Sequence, residues 1–266
     1  MKYKLGVIGF GVMGQAIISR FIADKKLNAS EICVFDLDKA KIDGFSYKIN
    51  LAESVSDLVN KSERVLFAVK PQHYKEACKD VDFSSVTTVL SIMAGVKVNS
   101  LRKTANIYEV GIVRIMPNTP CALGKGVCAL YFDKVIDSEK NIINNWFNAC
   151  GDTVIITEDK FDAVTGVSGS GPAYVYTFAQ GMIEGGMRGG LSYEDSKTLA
   201  LNTLIGAAEL AKKSTEPLDV LIDKVCSKGG TTIEAVNVYK EKNLTGIIAD
   251  GIDACRAKSK ALSEVE

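Results

Sequence analysis

Leu5-Gly6-Val7-Ile8-Gly9-Phe10-Gly11-Val12-Met13-Gly14 is the stretch whose reading decides the fold. Leu5 to Ile8 is a short apolar run of the kind a buried strand needs. Gly-x-Gly-x-x-Gly follows at once, and Gln15 to Ala23 continues with helical apolar spacing. The three glycines have separate tasks in that context. The first makes the turn out of the strand, the second admits a pyrophosphate against the backbone, and the third lets the helix pack on the strand. Ile8, Gly9, Phe10, Gly11, Val12 and Met13 are therefore candidate cofactor-binding residues, set at the positive end of a helix dipole.

Working outward, Glu31 to Phe35 reads as a second strand, with Asp36 at its end and 22 positions after Gly14. An acid near that spacing accepts hydrogen bonds from the adenosine ribose and repels a 2′-phosphate. Asp36 thus favours NADH over NADPH, and Asp38 adds a second negative charge. Arg64 to Val69 is the next strand and leads into Lys70-Pro71, where proline forces the chain out of the sheet. In an open parallel sheet ligands bind outside the carboxyl ends of the strands. Ala68, Val69, Lys70 and Pro71 should line that cleft, with Ala94 after a strand over 86–92 and Asn118 after one over 112–116. Asn118 has two readings, a bond to the nicotinamide side or a clamp on its own loop. His73, the sole histidine, reads as a surface residue at a helix start. Strands over 126–132 and 152–157, with a helix over 138–149 between them, complete the sheet.

After Thr157 strand-like segments stop. Helical stretches cover 161–187, 192–213, 217–226, 231–241 and 243–262, and Pro172 should kink or break the first of them. The fold class is α/β: a Rossmann-type dinucleotide-binding domain over residues 1–158, then an all-α domain over 159–266. Helices with no sheet to cover must pack on each other, which points to a subunit interface.

Cys226-Ser227-Lys228-Gly229-Gly230-Thr231-Thr232-Ile233-Glu234 is the second informative stretch. The glycines allow a tight turn and close approach of a ligand. Thr231 and Glu234 have capping-box spacing, so a helix should begin at Thr231, its hydroxyl engaged in the cap. The turn is then suited to a carboxylate or phosphate, and the Thr232 hydroxyl is left to donate to a ligand.

Composition narrows the function class. Lys and Arg total 32 and Asp and Glu total 32, so no basic field marks a nucleic-acid binder or membrane-surface protein. No apolar run is long enough to span a bilayer, and the chain enters a strand with no signal-peptide pattern. The seven scattered cysteines read as reduced, mostly buried thiols of a cytoplasmic protein. One histidine and no paired cysteines argue for no metal site.

These motifs closely resemble those of the pyrroline-5-carboxylate reductases, over nearly the whole chain. The likeness rests on residues 8–13, Ala68-Val69-Lys70-Pro71, Met116-Pro117-Asn118-Thr119-Pro120, residues 167–174, and above all Pro217 through Glu234. It implies hydride reduction of 1-pyrroline-5-carboxylate to L-proline by NAD(P)H, the last step of proline biosynthesis. It places the substrate carboxylate on Ser227, Gly229, Gly230 and Thr231, and the catalytic Thr232 hydroxyl near the ring nitrogen. It also implies a homodimer through the C-terminal helices, assembled further into a decamer. Two positions depart from the family: Asp36 where Ser, Thr or Arg is common, and Lys228 where proline is usual. A β-hydroxyacid dehydrogenase shares the two-domain plan, but its catalytic lysine lies on the first long interdomain helix, and residues 161–187 hold no lysine. A dinucleotide-binding sensor without turnover has no need of the Gly229-Gly230 turn.

Overall fold

The structure is a computed structural model and describes residues 2–264. The elements run β1 (Leu5–Ile8), α1 (Val12–Ala23), β2 (Ile32–Phe35), α2 (Ala40–Asp43), β3 (Asn50–Leu51), α3 (Val55–Asn60), β4 (Arg64–Phe67), α4 (Tyr74–Cys78), β5 (Thr88–Ser91), α5 (Val98–Ala105), β6 (Gly111–Met116), β7 (Gly126–Asp133), α6 (Asp137–Phe147) and β8 (Gly151–Ile155). Six helices follow: α7 (Phe161–Val164), α8 (Gly171–Arg188), α9 (Tyr193–Lys213), α10 (Leu218–Val225), α11 (Thr231–Glu241) and α12 (Leu244–Glu264).

The strands form one sheet in the order β3-β2-β1-β4-β5-β6-β7-β8. All pairs are parallel except β6 with β7. The order steps outward on both sides of β1, so a crevice opens between the β1 and β4 carboxyl ends, the switch point where such sheets bind ligands. Both faces are covered, and the strands read as near-continuous apolar runs for that reason. Leu5, Val7, Leu66 and Leu90 point into one core with Ile17, Phe21 and Trp146. Ile8, Val65, Phe67 and Val89, their neighbours along the same strands, point into the other with Leu58, Tyr74 and Leu101.

The chain groups into two compact units. One runs through Ser170 and is rejoined by the chain from Ala254 onward; the other is Gly171–Asp253. The first unit thus continues past the expected division at 158/159 and takes in α7, whose Phe161 is buried beneath Arg114 at 4.5 Å. Asp162 accepts from Ser259 Oγ at 2.7 Å, which ties the end of α12 to the same unit. In the second unit Gly186 lets α8 and α9 approach closely: a side chain there would meet Ser196.

Two expectations need adjustment. The helical stretch over 161–187 is interrupted before Pro172 rather than at it. Thr165–Gly169 forms a π-helical turn, closed by Ser170 N–H to Thr165 O at 2.9 Å. Pro172 falls in the first turn of α8, where a missing N–H costs nothing. The strand expected over 64–69 is also shorter, ending at Phe67. Ala68 N–H still donates to Ile8 O at 2.8 Å, and beyond that bond the chain leaves the sheet toward Pro71.

Candidate active site

The glycine loop is built as its sequence requires. Gly9 has φ +87°, and a Cβ there would lie 2.6 Å from Val69 Cγ1 and 2.9 Å from Val69 N. Gly14 faces Ala68, with 3.3 Å from an added Cβ to the Ala68 methyl, so α1 packs closely on the β4 exit. Gly11 is the N-cap of α1, has no side-chain cap, and an added Cβ would meet nothing within 4 Å. The open space above Gly11, against uncapped helix N–H groups, fits a dinucleotide pyrophosphate. Val12 beside it is exposed and Phe10 is buried.

The other candidate cofactor residues gather at the same edge of the sheet. Asp36 follows β2, Ala68 to Pro71 follow β4, Ala94 follows β5 and Asn118 follows β6. Their strands are neighbours in the order β2-β1-β4-β5-β6.

Asp36 accepts from Phe10 N–H at 2.6 Å through Oδ2, and from Asp38 N–H at 2.8 Å and Lys41 Nζ at 3.0 Å through Oδ1. Burial works to raise its pKa, but these donors outweigh it and hold the carboxyl below the usual range. Asn118 is buried and its amide clamps the loop: Oδ1 accepts from Val127 N–H at 3.0 Å, and Nδ2 donates to Ser168 O at 3.2 Å in the π-helical turn. Sequence reasoning missed Gln15 and Lys41. Gln15 Nε2 donates to Phe10 O at 3.0 Å and to Lys41 O at 3.2 Å, so it and Asp36 both tie the glycine loop to α2. The signal was thin: a polar residue straight after the third glycine, and a lysine five positions after the acid.

In the second unit, Pro217 caps α10, and residues 227–230 form a turn closed by Gly230 N–H to Ser227 O at 3.0 Å. Gly229 takes φ +69°, the left-handed region that glycine adopts without strain. A side chain at position 230 would collide with Ser227 Oγ. The helix begins at Thr231 as expected, but the capping box does not form. Closure of the turn puts Gly230 in the extended N-cap conformation, φ −80° and ψ 173°, with no side-chain cap, so Thr231 becomes the first helical residue. Among the described residues neither the Thr231 nor the Thr232 hydroxyl has a hydrogen-bond partner, and both stand in the first turn of α11, whose start has no side-chain cap.

Residues 158–262 match the family model described as pyrroline-5-carboxylate reductase dimerisation. Residues 4–95 match one described as NADP oxidoreductase, coenzyme F420-dependent. Pyrroline-5-carboxylate reductase of Aquifex aeolicus is 36% identical over 98% of this chain and 98% of its own. That of Synechocystis is 35% identical over 99% of this chain and 100% of its own. The chain belongs to the pyrroline-5-carboxylate reductase family. It is an NAD(P)H-dependent oxidoreductase that reduces pyrroline-5-carboxylate to proline. Among solved structures, the Plasmodium falciparum pyrroline carboxylate reductase with NADP bound superposes with a TM-score of 0.88 at 31% identity, covering 98% of each chain. In this reductase, no group of three or more His, Cys, Asp or Glu among the described residues could hold a metal ion. No described helix is long and apolar enough to cross a membrane.

Proposed function

We propose that the reductase performs this reaction with two separately built sites, each supplied by its own compact unit. Ile8 to Met13, Ala68 to Pro71 and Ala94 hold the dinucleotide, with the pyrophosphate over Gly11 and the adenosine ribose at Asp36. Asn118 fixes the loop after β6. Bound NAD(P)H supplies the hydride that reduces the imine carbon. The substrate carboxylate sits on the Ser227–Thr231 turn, where Ser227 Oγ and backbone N–H groups donate to it. The Thr232 hydroxyl oxygen accepts from the protonated ring N–H and holds the imine in line.

The observation that carries this reading is the uncapped start of α11: a helix N-terminus, a left-handed glycine, and two hydroxyls without partners among the described residues. A protonated imine is already electrophilic, so the protein mainly orients its reactants, and good orientation is worth roughly 7–11 kcal/mol of barrier. That is consistent with a site lacking a histidine or a carboxylate pair.

On its own Asp36 favours NADH, and the protein works as a cytoplasmic homodimer that assembles further into a decamer. The test of the site is Thr232→Ala. Losing one hydrogen bond to a charged group should lower kcat/KM by about 10- to 100-fold with dinucleotide affinity unchanged. Turnover equal to wild type would remove Thr232 from the reaction.

A further inference from the structure

The ammonium of Lys41 lies 3.0 Å from Asp36 Oδ1 and 3.8 Å from Asp38 Oδ2. The Asp36 side chain is 10% exposed and is fixed from within by Phe10 N–H, whereas Lys41 is 41% exposed. Gln15 holds the backbone of Lys41 against the glycine loop. Lys41, in α2, therefore holds its ammonium beside the acid that follows β2, where such an acid meets the adenosine ribose.

The rule that such an acid rejects a 2′-phosphate assumes a bare carboxylate. Here the carboxylate carries an ammonium within hydrogen-bond distance, and the pair has no net charge. An ammonium has three donors, and the bond to Asp36 takes one. Asp38, Lys39 and Asp43 are the other charged groups of the segment, so the added cation weighs heavily in the local balance.

We propose that Lys41, rather than Asp36 alone, sets the choice between NADH and NADPH. With Lys41 in place a 2′-phosphate meets an ammonium beside the neutralised acid, so both dinucleotides bind. Without it the bare Asp36 carboxylate turns the site toward NADH. The proposal rests on the dinucleotide site described above, and its test is independent of turnover.

Adenosine 2′,5′-bisphosphate and AMP differ only in the 2′-phosphate. Each is titrated calorimetrically into the full-length protein, without pyrroline-5-carboxylate, at low and at high salt. Wild type should bind both. Lys41→Ala should bind the bisphosphate about tenfold more weakly at low salt and AMP within about twofold of wild type, with the difference shrinking at high salt. Lys41→Arg should keep the bisphosphate. Lys41→Met, which retains the aliphatic stem, should repeat the alanine result and guards against a packing effect. Equal losses for both nucleotides would mean that Lys41 only props Asp36 and would overturn the proposal, as would unchanged bisphosphate binding. A wild type that binds neither nucleotide would overturn the dinucleotide site as well. Intact nucleotide binding without reduction of pyrroline-5-carboxylate would overturn only the reading of the second site.

Discussion

Asp36 holds three protein donors at once: the N–H groups of Phe10 and Asp38 and the Lys41 ammonium. A carboxyl whose pKa falls on folding contributes stability that is complete above its unfolded value, near 4, and is lost as pH drops through the lower folded value. Asp36→Asn should therefore be less stable than wild type at pH 7, and the gap should narrow as pH falls below about 4. Urea midpoints at pH 7 and pH 3 measure this; an equal gap at both would mean that the ionised form contributes nothing. The acid was legible in the sequence because its spacing from Gly14 is set by one βαβ unit. Its partners were not, because Lys41 reaches Asp36 through a turn whose path no local pattern dictates. Thr231 teaches the same lesson. Thr-x-x-Glu announced the right helix start, but Gly230 could take the N-cap conformation once Ser227 closed the turn, and that moved the cap by one residue.

At the scale of elements, the glycine loop gives two contrasting expectations. Gly9→Ala places a methyl against Val69 at φ +87°, so it should cost about 1–3 kcal/mol in stability. Gly11→Ala meets nothing in the protein, so its stability should stay within about 0.5 kcal/mol of wild type. Its methyl fills the space above the helix N-terminus, and dinucleotide affinity should fall at least about tenfold. Thermal melting and nucleotide titration of the two variants separate these effects; normal nucleotide binding by Gly11→Ala would move the pyrophosphate elsewhere. The long strands and α1 were readable because apolar runs and glycine spacing are local signals. The two-residue strand β3 was not, since so short an edge carries no periodicity. The π-helical turn at Thr165–Gly169 was also hidden behind Pro172. It forms where Gly169 must pass Met116 and Ser168 must meet Asn118, both long-range demands.

For the whole molecule, the helical unit has almost no interior of its own. Across 171–253 the buried residues are Ala179, Ser196 and Ala200, while Leu199, Ile205, Leu210, Leu218 and Val225 are exposed. Helices that cannot bury their apolar faces within the chain need another copy to cover them, in keeping with the dimerisation domain that this region matches. The amphipathic pattern made that need legible in the sequence; which faces meet was not, because a helix pattern names no partner. Ile205→Glu should shift the protein toward a monomer in sedimentation and lower its thermal midpoint, and an unchanged mass would place Ile205 outside the interface.

The most direct measurement of the central claim is oxidation of NADH and of NADPH, in parallel, with pyrroline-5-carboxylate as substrate and L-proline quantified. The expected result is proline formed mole for mole with oxidised dinucleotide, with both cofactors active. Neither cofactor oxidised and no proline formed at saturating substrate would contradict the account.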